Sequence, residues 1–257
     1  MMLKNKTLNI ASFLICFILT INILNITSYA QTQTENVQLY SAKLHMDYGY
    51  KGYIKGYSSS GYIYVKNLAY DKKVTVHFMY NDTDWSDVSA HYYKTLPNGY
   101  EIWKYDTPYT TRVKYQYCGD NYCKFAIKYE VNGNTYWDNN NGNNYYLSQS
   151  KHQVELSKCN IGESKFYNSS KNLWFYLKDL GYNKTVKVRV TNDGWATYQD
   201  YDCTYHSSYS NGTESWYIDL EKNGIDTTSS AASQYVIYYT VNGETYWDNN
   251  FGENYYF

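Results

Sequence analysis

Two tryptophans, each followed at once by an asparagine-rich loop, are the side chains best placed to do chemistry. Tyr129 to Tyr146 reads YEVNGNTYWDNNNGNNYY and Tyr239 to Tyr256 reads YTVNGETYWDNNFGENYY; of the 18 aligned positions only 130/240, 134/244, 141/251 and 143/253 differ. Trp137 and Trp247 occupy the same place in the two segments, at an offset of 110 (247 − 137). A primary amide carries two donors and an acceptor in one plane, and an indole face covers apolar C–H surface. Together they suit a neutral, hydroxyl-rich ligand such as a sugar, for which a charged group would cost desolvation without a counter-ion to offset it. The competing reading is that these loop residues only cap turns, as Asp138 and Asp248 are expected to do. A calcium loop fits poorly. Its glycine falls one place early, no bidentate Glu sits at the right distance, and Phe251 interrupts the second copy.

The elements that must hold these rings are strands. Asn132-Gly133 and Asn242-Gly243 lie between alternating apolar runs, the signature of two-residue hairpin turns. That turn sets Val131 opposite Asn134, Tyr129 opposite Tyr136 on the inside, and Lys128 opposite Trp137 on the outside. In the second copy it sets Tyr239 against Tyr246 inside and Tyr238 against Trp247 outside. Val74, Val76 and Phe78 alternate with polar residues, as do Val186, Val188 and Val190, and a period of two marks a half-buried strand. No helical period follows residue 30. Trp85 and Trp195 share the 110 offset, whereas Tyr70-Asp71-Lys72 and Tyr182-Asn183-Lys184 align at 112 (182 − 70). A repeat of that length is a whole small domain. The chain is therefore expected to be all-β, with two tandem immunoglobulin-like antiparallel β-sandwich domains over 37–148 and 153–257, joined near Ser148-Gln149-Ser150.

A formal net charge of -1 removes any general reason to expect nucleic acid or an anionic membrane as partner. Thirty-six tyrosines supply amphipathic surface as well as core volume. Residues 1–30 read as a signal peptide, with Lys4 and Lys6 before an apolar run from Ile10 to Leu24 and small residues at Ser28 and Ala30; cleavage before Gln31 implies a secreted chain. Export would allow disulfides among Cys118, Cys123, Cys159 and Cys203, first Cys118 with Cys123 and then Cys159 with Cys203, the alternative being four buried free thiols. Their spacing fits no zinc pattern, and no cofactor is expected.

Both copies resemble the family 21 carbohydrate-binding module, the starch-binding domain of fungal glucoamylases and the glycogen-targeting domain of protein phosphatase 1 regulatory subunits. The residues that carry the resemblance are Gly61 to Val76 (GYIYVKNLAYDKKVTV), the Trp85 and Trp195 loops, and the two hairpins quoted above. The resemblance implies two sugar sites per module. The first would use Trp85, Trp137, Asn139 and Asn144 in one copy and Trp195, Trp247, Asn249 and Asn254 in the other. The second would use Tyr70, Lys72 and Tyr92, or Tyr182, Lys184 and Tyr205. Where the family's first site can include a strand aromatic this chain has Ala126 and Val236, and Tyr238, beside Trp247, is expected to substitute in the second copy.

These readings make starch, amylose or glycogen the expected partner, held without catalysis, with avidity from two tethered modules. A separate secreted amylase is a further candidate partner. A glycoside hydrolase needs a facing carboxylate pair, and none of Asp84, Glu130, Asp138, Asp193 or Asp248 forms a recognisable one. A phosphatase-targeting scaffold needs an exposed basic docking segment, for which Arg112-Val113-Lys114-Tyr115 is a poor candidate. A structural surface adhesin would differ only in its ligand.

Overall fold

The computed structural model describes residues 35–114, 119–156, 161–167, 172–227 and 232–257. The expected signal segment, Cys118 and Cys159 lie outside them. The first nine strands are β1 (Val37–Tyr48), β2 (Ile54–Lys66), β3 (Lys72–Tyr80), β4 (Ser86–Ser89), β5 (His91–Thr95), β6 (Tyr100–Asp106), β7 (Tyr122–Val131), β8 (Asn134–Asp138) and β9 (Tyr145–Ser148). The others are β10 (Val154–Leu156), β11 (Ile161–Tyr167), β12 (Asn172–Lys178), β13 (Lys184–Thr191), β14 (Gln199–Asp202), β15 (Thr204–Ser208), β16 (Thr213–Asp219), β17 (Gln234–Val241), β18 (Glu244–Asp248) and β19 (Tyr255–Tyr256).

They form two tandem antiparallel sandwiches of the immunoglobulin-like kind. In the first, sheet β10-β1-β2-β6-β5 faces sheet β4-β3-β7-β8, with β9 also on β7. Leu39, Leu44, Ile63 and Val65 from one sheet meet Val76, Phe125, Ile127 and Tyr129 from the other. In the second, β11-β12-β16-β15 faces β14-β13-β17-β18, with β19 on β17. Leu173, Phe175 and Ile218 there meet Val188, Ile237 and Tyr239. The alternation of apolar and polar residues puts one side of each strand in these cores and leaves the other side for ligands or neighbours.

The two hairpins have the expected register: Lys128 pairs with Trp137 and Tyr129 with Tyr136, while Tyr238 pairs with Trp247 and Tyr239 with Tyr246. Asn132 and Gly133, at φ 51° and 75°, and Asn242 and Gly243, at 52° and 82°, take the left-handed conformation this turn demands.

Three expectations need correction. Val154–Leu156, placed by sequence in the second module, pairs with β1 and completes the first module's sheet, with Lys43 opposite Val154 and Ser41 opposite Leu156. An edge left open on β1 would expose unpaired backbone, and the three residues after the joint satisfy it. Secondly, Cys123 and Cys203 carry free thiols, and the partners expected for them, Cys118 and Cys159, lie outside the described residues. The period of β7 turns Cys123 into the core beside Phe125 and Ile127, away from the surface turn it was expected to staple. Burial pushes both thiols well above their ordinary value. Thirdly, the modules are not joined only by a tether. A third apolar cluster lies between them, with Tyr40, Tyr64, Ile102 and Leu156 around Phe251. Asn211 donates to the Val154 carbonyl at 2.7 Å, and Lys178 donates to that of Leu156 at 2.9 Å.

Candidate functional site

On the outer face of the first module's β3-β7-β8 sheet, Trp137 is 49% exposed and Trp85 is 38% exposed. The Trp85 ring stacks on His77, with centroids 4.6 Å apart and planes 8° apart. His77 in turn meets Trp137 edge-on at 6.3 Å. Asp87 holds His77 from the neighbouring strand, Nδ1 to Oδ1 at 2.6 Å. Two indoles therefore flank one imidazole on a rigid sheet. His77 pairs with Ala126, whose small side chain leaves the imidazole room.

The second module builds the corresponding surface differently. Trp247 stacks on Tyr238 at 4.3 Å, as the register predicted. Arg189 stands where His77 does. Its guanidinium lies 3.9 Å from the Tyr198 ring centroid, 5.2 Å from that of Trp247 and 5.4 Å from that of Tyr238. It donates twice to Asp200, at 2.7 and 2.8 Å, and those bonds hold the Asp200 carboxyl below its ordinary range.

The β-ladder also corrects the alignment of the loop tryptophans. Asp87 pairs with His77 and Asp200 with Arg189. Two residues before each lie Trp85 and Tyr198, so Tyr198, at an offset of 113 (198 − 85), is the counterpart of Trp85. Trp195 sits further along the face, its Nε1 donating to Gln234 Oε1 at 2.7 Å, and the Asn254 amide donates to the same oxygen at 2.9 Å. The shared 110 offset of Trp85 and Trp195 is not a structural equivalence, because β3 and β13 are already offset by 112 (189 − 77) and the second loop adds one residue more.

The asparagine loops fold alike. The Asn139 and Asn249 side-chain oxygens accept from the amides of Gly142 and Gly252 at 2.9 and 3.0 Å, and the Asn144 and Asn254 amides close each loop onto the residue-139 or residue-249 carbonyl at 2.7 Å. Turn capping therefore occupies the Asn139 and Asn249 carbonyls. Asn139 remains exposed, with its NH₂ unpaired among the described residues, whereas Asn249 is only 4% exposed. Burial of the second loop against the first module takes Asn249 out of reach of a ligand, a correction to its expected place in the first site.

A second surface recurs at the opposite end of each module. Tyr70 and Tyr182 stand 97% and 98% exposed at the turn before β3 and β13. In the first module, Tyr70, Lys72, Tyr92, Glu101 and Trp103 line an open groove of about 780 Å³. Lys72, expected at the second sugar site, has its ammonium buried against Glu101 at 2.9 Å and Asn67 at 2.6 Å. Lys184 is likewise buried against Asp179 at 2.6 Å and Glu214 at 2.8 Å. Trp103 and Trp216 donate to these same glutamates at 2.8 and 3.0 Å. Tyr92 and Tyr205 meet the two tryptophans edge-on at 6.3 and 5.6 Å, which makes the two tyrosines true counterparts. Sequence reading missed the glutamates and tryptophans, although Gly99-Tyr100-Glu101-Ile102-Trp103 and Gly212-Thr213-Glu214-Ser215-Trp216 repeat the same spacing.

Asp248, under the second loop, is enclosed. Tyr255 donates to both its oxygens at 2.9 Å and Asn250 to one at 3.1 Å, yet burial pushes its carboxyl up from 3.8 to about 7. Between those values the native chain holds a proton that the unfolded chain has lost, so stability falls as pH rises through the window and is level above it. Asp248→Asn keeps an acceptor and does not titrate. Calorimetry from acid to neutral pH should show the wild-type Tm falling by about 5 °C relative to this variant; parallel curves would contradict the assignment.

No three His, Cys, Asp or Glu converge on a metal position among the described residues. The family model for the carbohydrate/starch-binding module (family 21) matches residues 31–148 and again 149–257. Glucoamylase 1 of Rhizopus oryzae is 34% identical over 158 residues, 59% of this chain and 22% of that protein. Protein phosphatase 1 regulatory subunit 3C of Bos taurus is 32% identical over 109 residues, 41% of this chain and 32% of that one. The chain thus spans between 22% and 36% of the length of the curated relatives it matches. The starch-binding domain of Rhizopus oryzae glucoamylase, solved with β-cyclodextrin and maltoheptaose, is 34% identical and covers 46% of this chain and 96% of its own, at a TM-score of 0.33.

Proposed function

Since the chain belongs to family 21 of the carbohydrate/starch-binding modules, we propose that it binds α-glucan chains such as starch, amylose or glycogen without cleaving them. The observation that carries this reading is the pair of indoles, Trp85 and Trp137, standing in solvent around His77 on a rigid sheet. Flat faces left bare in water stack on the C–H face of glucose units, and neighbouring amides supply the hydrogen bonds that hydroxyls require. Trp247 and Tyr238, with Arg189 and Tyr198, give the second module its own face, along which Gln234 and Trp195 extend the contact surface. The Tyr70 groove and the exposed Tyr182 ring add one further stacking position per module.

A single open face of this kind binds weakly, because ordering a flexible polymer offsets much of the contact energy. Two modules on one polymer make the second contact intramolecular. The basic start and apolar run of residues 1–30 support export of the chain. Adsorption to amylose, glycogen, cellulose and xylan tests the proposal. The wild type should be retained on the α-linked polymers, and Trp137→Ala should lower that affinity about tenfold, the loss of one central aromatic contact. A purified chain that ignores every α-linked polymer would end this reading.

A further inference from the structure

The long hairpin joining β1 to β2 has no counterpart among the described residues of the second module and no part in the faces described above. Its strands run 12 and 13 residues, against 7 and 7 for β11 and β12. Its tip reads Tyr48-Gly49-Tyr50-Lys51-Gly52-Tyr53. Tyr48, Tyr50 and Tyr53 are 49%, 79% and 58% exposed, and Tyr109 from the loop after β6 is 52% exposed. We propose that this tip is an additional stacking platform for the same α-glucan polymer, an inference that rests on the function proposed above.

Tyr53 and Tyr109 are held rather than loose. A β-carbon on Gly49 would lie 2.4 Å from Tyr53 Cζ and 2.7 and 2.8 Å from its two neighbouring ring carbons, the position of an atom above the ring face. Tyr53 therefore lies flat on the Gly49 backbone with its other face outward. The hydroxyl end of Tyr109 covers Gly56 in the same way, and its OH donates to Asp47 at 3.0 Å. Backbone bonds across the tip fix it, Gly49 N to Tyr53 O at 2.7 Å and Gly52 N to Gly49 O at 3.1 Å. Rings fixed in place lose little freedom when a ligand stacks on them.

The chemistry of the tip fits a neutral, hydroxylated chain. Phenol rings offer an apolar face and a hydroxyl on one side chain. Its charges nearly balance, with Lys55 close to Asp47 at 3.8 Å. The tip also shares an end of the sandwich with the Trp85 loop. Tyr57, on β2, meets Tyr80 at 5.0 Å, Tyr80 leads into the turn that carries Trp85, and the Asn81 amide donates to the Arg112 carbonyl at 3.0 Å. Tyr53 lies four residues beyond Tyr57, roughly 13 Å of extended strand. A polymer can reach both Trp85 and the tip.

Adsorption isotherms on granular starch test this with two variants. Tyr50→Ala/Tyr53→Ala removes exposed rings and leaves both cores untouched. Gly49→Ala suits the local backbone, φ −90° and ψ −166°, but lifts the Tyr53 ring off its seat. The double variant should bind granular starch roughly fivefold more weakly, the size of one or two lost stacking contacts; Gly49→Ala should shift affinity in the same direction. Both should keep the wild-type Tm. Wild-type adsorption in both variants overturns the hairpin proposal alone, whereas a wild type that does not adsorb at all overturns the reading it rests on.

Discussion

Replacing Phe251 with Ala should separate the two modules into independently moving bodies. The residue sits at φ 56°, a conformation that suits Asn or Gly and strains a bulky side chain. The first copy has Asn141 there, at φ 57°. The strain is tolerated because the ring enters a pocket of the first module, against Tyr40 at 5.0 Å, Tyr62 at 5.3 Å and Tyr93 at 6.0 Å. Glu253, where the first copy has Asn143, meets Lys94 of the first module at 3.0 Å. Two of the four differences between the repeated 18-residue segments are thus the residues that dock one module on the other. Removing a buried aromatic ring costs about 3 kcal/mol or more, and what remains of the contact is mainly the Lys94–Glu253 ion pair and the hydrogen bonds to β10. Small-angle scattering should show a longer particle for Phe251→Ala, and unfolding, expected as one transition in the wild type, should split in two. Scattering curves that superimpose on the wild type would show that Phe251 does not hold the pair together.

This docking also explains what could and could not be read from the sequence. The hairpins were legible because an Asn-Gly turn and a period of two leave one register, and that register fixes which side Trp137, Tyr238 and Trp247 take. The sandwich class followed from the same alternation repeated over a domain-length period. Asn249 was misplaced because a solvent loop and a docked loop have nearly the same sequence, and the Phe that distinguishes them looks like one more exposed aromatic. Trp85 was matched with Trp195 because the offset alone was compared. Strand pairing drifts from 112 at His77 and Arg189 to 113 at Asp87 and Asp200, and only the ladder shows it. The burial of Lys72 was hidden because its partner lies 29 residues away on another strand. The edge role of Val154–Leu156 had no local signature, since three apolar-containing residues pair with either module equally well on pattern alone.

The deepest test of the groove architecture is Glu101→Ala, expected to destabilise the first module by about 3–5 kcal/mol. Lys72 and Glu101 expose only 5% and 8% of their side chains, and both Glu101 oxygens lie 2.9 Å from the ammonium. Asn67, the other partner of that ammonium, is neutral, so among the described residues Glu101 alone offsets the charge. Taking it away leaves a desolvated cation and also orphans the Trp103 N–H that orients the groove wall. The repeat supplies its own control. Lys184 is held by both Glu214 and Asp179, and Asp179 is the more exposed of the two at 44%. Glu214→Ala therefore leaves an ion pair standing and should cost roughly 1–2 kcal/mol, closer to the loss of one charge-assisted hydrogen bond. Denaturant unfolding of the two variants separates these cases. Equal losses would mean that charge compensation is not what the buried glutamate provides, and that the Trp103 and Trp216 contacts dominate in both modules.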